Sequence, residues 1–192
     1  MRTSTKKRRT KETNITVSLD LDGGGIADID TGVGFFDHML TAVAVHSGFD
    51  LSVKCDGDLG VDAHHSVEDV GIVFGQAFAE AIGDKAGTAR YGGFTIPMDE
   101  ALASCHIDIG GRICFVFDAP FTAERVGELD TQMISEFFRA FANNAKVTLH
   151  LEVLHGENDH HKAEALFKAF AHALRMTVKV GGSDLLTTKG VL

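Results

Sequence analysis

"HHSVED", residues 64–69, returns as "HHKAEA" at residues 160–165: two adjacent histidines with a glutamate three places after the second. Four of the chain's ten histidines therefore sit in two copies of one arrangement, with His64 and His160 lying 96 residues apart. Either copy alone could be a polar helix start. Two copies raise the question of whether the whole chain is duplicated.

The flanking sequence answers it. Before the first copy, "TNITVSLDL" (13–21) alternates as a half-buried strand does, "DGGG" (22–25) reads as a turn and "IADID" (26–30) as a returning strand, which predicts a hairpin. A helix is expected over 35–46, a strand over 49–55, and a helix from about 64 to 82 with Val70, Val73, Phe74, Ala77, Phe78 and Ala81 at spacings of three and four. Beyond Arg90 the same order recurs: strands at 102–109 and 112–117 around the glycines at 110–111, a helix at 130–144, and the strand "VTLHLEV" (147–153). A last helix opens at "HHKAEA" and carries Leu166, Phe167, Phe170, Ala171 and Leu174 on one face. Aligning "FFDHML" on "ISEFFRAF" sets Glu136 opposite His38, 98 residues on. The expected fold is α+β, with duplicated β-β-α-β-α halves (about 1–92 and 93–192) and two small sheets enclosing a layer of four helices. With only two prolines and no Ser- or Pro-rich linker, the halves should form one compact domain.

At 192 residues and 44% hydrophobic, the chain can bury a full core. A net charge of −9 argues against a nucleic-acid surface, which needs clustered Lys and Arg. The one basic run, "KKRRTK" (6–11), reads as a solvated N-terminal arm. No stretch approaches the roughly 20 apolar residues of a membrane span, and Met1 is not followed by a signal-peptide core, so a cytoplasmic protein is expected. Cys55, Cys105 and Cys114 are odd in number and form no CxxC pair, which suggests buried thiols rather than a disulfide framework or a zinc site.

On a helix, adjacent residues point about 100° apart, so neighbouring histidines cannot comfortably grip one ion. The glutamate is i+4 from the first and i+3 from the second, on the same face as either. Each HHxxE unit is therefore suited to two metals, and two units together would build a pair of mixed imidazole and carboxylate sites. Without thiolate, that donor set suits Mn, Fe(II), Co or Zn. Of the other histidines, His46 falls where a cation would meet a helix C-terminus. His106 and His150 fall on polar strand faces, His155 in a turn and His172 off the apolar helix face; all read as structural. His38 differs, lying among apolar residues and matching Glu136 across the repeat.

"TGVGFFDHML" (31–40), "HHSVEDVGIVFGQA" (64–77), "EFFRAFANNAKVTLH" (136–150), "HHKAEALFKAFAHALR" (160–175) and the terminal "TKGVL" together resemble the imidazoleglycerol-phosphate dehydratase family over essentially the whole chain. The resemblance implies a homo-oligomeric shell of 24 subunits, active sites at subunit contacts and two Mn(II) ions per site. It implies removal of water from imidazoleglycerol phosphate to give imidazoleacetol phosphate in histidine biosynthesis, with the metals stabilising a substrate imidazolate because the carbon-bound hydrogen that must leave is barely acidic. One ion would be held by His38, His65, His160 and Glu164, the other by His64, Glu68, Glu136 and His161. Many relatives have histidine in place of Glu136. Glu12 would be the acid/base residue that shuttles the proton, while Arg90, Arg112, Lys168, Thr187 and Lys189 would bind the phosphate. Thr187 stands where relatives commonly carry serine, and Ala42 where some carry a glutamine near the phosphate. Two rivals fit less well. A carboxylate-bridged di-iron oxidase uses Glu-x-x-His and more carboxylates. A metal-storing assembly protein would leave Glu12 and the "TTKG" tail without work.

Overall fold

The computed structural model describes residues 1–182 and 186–188. The first half runs β1 (Thr3–Arg9), β2 (Thr13–Asp20), β3 (Ala27–Asp30), α1 (Gly34–Ser47), β4 (Asp50–Gly57) and α2 (His64–Ile82). The second repeats that order as β5 (Tyr91–Met98), β6 (Ala101–Asp108), β7 (Cys114–Asp118), α3 (Gln132–Ala145), β10 (Thr148–His155) and α4 (Asp159–Thr177), with a two-residue hairpin of β8 (Arg125–Val126) and β9 (Leu129–Asp130) inserted before α3. Each four-stranded sheet thus carries one more strand than its half's sequence pattern suggests, and the β8–β9 hairpin is a further addition to the second half.

The strand orders are β1-β2-β4-β3 and β5-β6-β10-β7. The hairpin expected from 13–30 does not form, because β4 lies between β2 and β3. The physical reason is length. β2 and β4 pair along eight positions, from Thr13 opposite Gly57 to Asp20 opposite Asp50, and set Val17 against Val53 and Leu19 against Leu51 on the buried face. β3 has four residues and reaches β4 through α1, a β-α-β crossover that makes the two parallel. The second half does the same with β7 parallel to β10, so 102–109 and 112–117 are not a hairpin either. The true hairpins are β1–β2 and β5–β6.

The basic run expected to be a solvated arm is largely the edge strand β1. Lys6 Nζ lies 2.8 Å from Glu80 Oε1 and Arg8 donates to Asp69 Oδ2 at 2.8 Å, so alternate residues of β1 face α2 and find acidic partners there. Of the three cysteines only Cys105 is fully buried; Cys114, at the start of an edge strand, is exposed.

Each sheet carries its two helices on one face, and the two layers meet where α2 packs on α3 and α1 on α4. Phenylalanine fills the seam. Phe36 of α1, Phe74 of α2, Phe137 and Phe141 of α3 and Phe167 and Phe170 of α4 are fully buried, with Phe36–Phe137, Phe74–Phe141 and Phe137–Phe167 ring centroids 5.3, 5.1 and 5.4 Å apart. Burial of each such ring is worth roughly 1.5–3 kcal/mol. This core fixes the four helices against each other, and the HHxxE units open two of them.

Candidate functional site

The starts of α2 and α4 place the HHxxE histidines. Asn158 caps α4 by accepting from the backbone N–H groups of His160 at 2.9 Å and His161 at 3.3 Å, and Asp62 accepts from His64 N at 2.7 Å at the start of α2. Each histidine pair therefore occupies the first turn of a long helix, with its glutamate on the next turn.

His38, His160 and Glu164 converge, and their ligand atoms all lie within 4.8 Å of one another. Glu164 Oε2 is 3.2 Å from His160 Nε2 and 3.6 Å from His38 Nε2, while its Oε1 is 2.7 Å from Lys168 Nζ. Burial pushes the Glu164 carboxyl upward, but Lys168 together with His38 and His160 outweighs it and holds the group below the usual carboxylate range. An ionised, largely buried carboxylate beside two imidazoles is a donor set fit for a borderline to hard divalent cation. Phe35, edge-on to His160 at 5.0 Å between centroids, walls one side.

The other residues expected at metals are apart from this group. His64 Nε2 is 3.6 Å from Glu68 Oε2, which repeats the i,i+4 pairing of His160 with Glu164. Glu136 is half-buried, with Arg139 3.6 Å away. His65 and His161, the second histidines of the two pairs, turn elsewhere. His65 Nδ1 lies 3.0 and 3.1 Å from the two carboxylate oxygens of Asp58, and its Nε2 lies 3.9 Å from Glu12. His161 Nδ1 lies 2.6 Å from Glu100 Oε2, and its Nε2 3.6 Å from Asp99. Asp58 and Glu100, as acceptors of those hydrogen bonds, raise the pKa of His65 and His161 respectively above the ordinary value. Glu100 is held down at about 2 by the backbone N–H of Asn158 first and by His161 second.

Glu12 is exposed and lies between β1 and β2, near His65. Among the cations expected at phosphate, Arg90 is buried and paired to Asp108 through Nε at 2.8 Å, with Nη1 donating to the carbonyl of Leu186 at 2.7 Å, next to Thr187 in sequence. Arg112 is exposed, Thr187 is half-buried, and Lys168 is committed to Glu164. Ala42 is buried in α1. Lys189 lies outside the described residues. A cleft of about 490 Å³ opens beside His64, between the 58–63 connection and the β8–β9 hairpin, and Arg125 and Gln132 line it.

His46 does end α1, but burial and then the nearby Lys168 push its pKa down, and it faces His172 with ring centroids 5.4 Å apart. His172 in turn stacks on Phe94 at 4.2 Å. The expected charged cap is instead half of a histidine pair favoured in the neutral form. Asp58, Asp99 and Glu100 carry no spacing signal in the sequence; only the folded turns bring them to the histidines.

A sequence profile of the imidazoleglycerol-phosphate dehydratase family matches residues 31–174. An imidazoleglycerol-phosphate dehydratase from Methanosarcina barkeri is 57% identical over 192 residues, covering 100% of both chains, and one from Clostridioides difficile is 53% identical over 97% of both. The crystal structure of the Staphylococcus aureus dehydratase matches with a TM-score of 0.85 at 42% identity, covering 93% of this chain and 99% of that one. The Pyrococcus furiosus enzyme, in complex with (S)-C348, matches with a TM-score of 0.85 at 36% identity, covering 97% and 100%. With the sequence matching over its whole length and the fold over 93% of it, the chain belongs to the imidazoleglycerol-phosphate dehydratase family, hydro-lyases of histidine biosynthesis.

Proposed function

We propose that the chain carries out its dehydration with two Mn(II) ions per active site, one held by His38, His65, His160 and Glu164 and the other by His64, Glu68, Glu136 and His161. The observation that carries this reading is the convergence of His38, His160 and Glu164 within 4.8 Å. Among the described residues that group offers three protein donors, and none of the other proposed ligands joins it. Ligands from neighbouring copies of the chain complete each set, in a homo-oligomeric shell of 24 subunits. When bound, the Mn(II) ions supply Lewis acidity that stabilises the deprotonated imidazole ring of the substrate.

The protein's own groups divide the remaining work. Overall, one carbon-bound proton and one hydroxide leave as water, giving the keto product. Glu12, exposed and 3.9 Å from His65, moves the proton. Arg90, Arg112, Lys168, Thr187 and Lys189 hold the phosphate; Lys168 stays 2.7 Å from Glu164 and so links the phosphate end to a metal ligand. Three unpaired cysteines and a biosynthetic reaction on a small phosphate support a cytoplasmic setting.

Glu136 gives the test. It makes its set the one with two carboxylates, which favours harder ions and lessens the preference for zinc over manganese. Glu136→His should keep two metals per chain and shift preference toward zinc, while Glu136→Ala should retain about half the bound metal and lose roughly 100-fold in turnover. Metal analysis after identical Mn(II) and Zn(II) loading decides it; two ions and normal turnover in the alanine variant remove Glu136 from the ligand set.

A further inference from the structure

The second histidine of each HHxxE unit is gripped from behind. Asp58 spans His65 Nδ1 with both oxygens, at 3.0 and 3.1 Å, and Glu100 meets His161 Nδ1 at 2.6 Å. An ionised carboxylate can only accept a hydrogen bond, so each Nδ1 carries the proton and each neutral ring leaves its Nε2 lone pair free.

The two carboxylates do not occupy equivalent places in the duplicated chain. Asp58 is the residue after β4, and the residue after β10 is Gly156. Gly156 has φ 148, and a Cβ there would stand 2.9 Å from the Ala101 Cβ and 2.8 Å from Lys162, so no acidic side chain fits at that place. Glu100 is the residue before β6, and its counterpart before β2 is Glu12. The same task is therefore done by the strand-end residue in one half and by the hairpin-turn residue in the other. Where Asp58 takes the task, Glu12 is released to the Nε2 side of His65.

We infer that Asp58 and Glu100 are positioning residues that fix His65 and His161 with Nδ1 protonated and Nε2 presented to metal, and that this division of labour is what leaves Glu12, and not its counterpart Glu100, available for proton transfer. The inference rests on the di-metal reading above. Glu100 uses its oxygens separately: Oε1 accepts from the backbone N–H of Asn158 at 2.8 Å and of Glu157 at 3.2 Å, and Oε2 serves His161. It thereby ties the turn before α4 to the ring it orients. Carboxylate partners of this kind are worth about 10–100-fold in metal affinity.

Glu100→Gln separates the two jobs. The amide keeps an oxygen for the backbone N–H groups and turns its NH2 toward Nδ1, which reverses the tautomer and caps Nε2 with the proton. Titration of the assembled protein with Mn(II), following free ion by electron paramagnetic resonance, should show one of two ions bound at least about 10-fold more weakly in Glu100→Gln, and likewise in Asp58→Asn. His161→Ala is the reference. If it loses an ion while Glu100→Gln binds both at the parent affinity, this inference is overturned and the di-metal reading stands. If His161→Ala itself binds both ions normally, the di-metal reading falls first. Should a variant not fold, 15N shifts of the metal-free parent at alkaline pH decide: Nδ1–H tautomers at His65 and His161 are expected, and Nε2–H tautomers overturn the assignment.

Discussion

Single side chains in this protein divide into those whose spacing announces them and those that only the fold brings near. The HHxxE units are of the first kind, because i,i+4 geometry alone sets His64 on Glu68 and His160 on Glu164, as found. Asp58 and Glu100 are of the second, since they act across turns on residues seven and 61 positions away. His46 shows how position in a helix misleads when burial is not visible: the end of a helix favours a cation, but burial and then Lys168 outweigh it. His46 and His172 both have folded-state pKa values below the ordinary value of 6.5. Their contribution to stability is therefore complete above about pH 6.5 and declines as pH falls toward the lower folded values, because the unfolded chain takes up protons first. His172→Phe, which keeps a ring against Phe94, should flatten this part of the pH dependence. Denaturation midpoints of the metal-free parent and variant at about pH 7.5 and pH 5.5 measure it; an identical slope in both would show that the pair does not titrate differently on unfolding.

Helices and strands differ in how far their patterns reach. All four helices were legible in the sequence, α2 and α4 from apolar spacing, since a helix needs only its own sequence to declare a buried face. The strands' existence was legible but not their partners: alternation says which face is buried and nothing of which neighbour is bonded, so a short strand following a glycine turn reads as a hairpin even when a longer strand takes its place. β1 was hidden because its lysines and arginines satisfy the rule for a solvated arm, and Glu80 and Asp69 are far off in sequence. The α2–α3 contact adds a prediction at this scale. A Cβ on Gly71 would stand 2.7 Å from the carbonyl oxygen of Phe137 and 2.9 Å from the Ala140 Cβ, so the two helix backbones touch here. Gly71→Ala, which gains about 0.4–1 kcal/mol at an unconstrained helical position, should instead destabilise by about 1–3 kcal/mol. A chemical denaturation midpoint at or above the parent's would mean that the helices move apart at no cost.

At the scale of the whole molecule, the duplication is the organising fact, and one repeated motif was enough to reveal it. Its two halves nevertheless carry different residues at equivalent places, Gly156 opposite Asp58 and Glu100 opposite Glu12. The proposed assembly lies beyond what a single chain's sequence pattern contains; among the described residues, only His38, His160 and Glu164 of the expected ligands converge. If each ion staples neighbouring chains, stripping Mn(II) should yield a smaller oligomer by size exclusion with light scattering; a shell of unchanged mass after verified metal removal would place the sites within one chain.

The most direct measurement is turnover of imidazoleglycerol phosphate by one preparation carried through three states: loaded with Mn(II), stripped to verified metal-free protein, and reloaded. The loaded protein, with two ions per chain, should form imidazoleacetol phosphate, the stripped protein should form none above background, and reloading should restore the rate. Metal-free protein that turns over at the loaded rate would contradict the account, because dehydration would then proceed without the centre that the two HHxxE units are held to build.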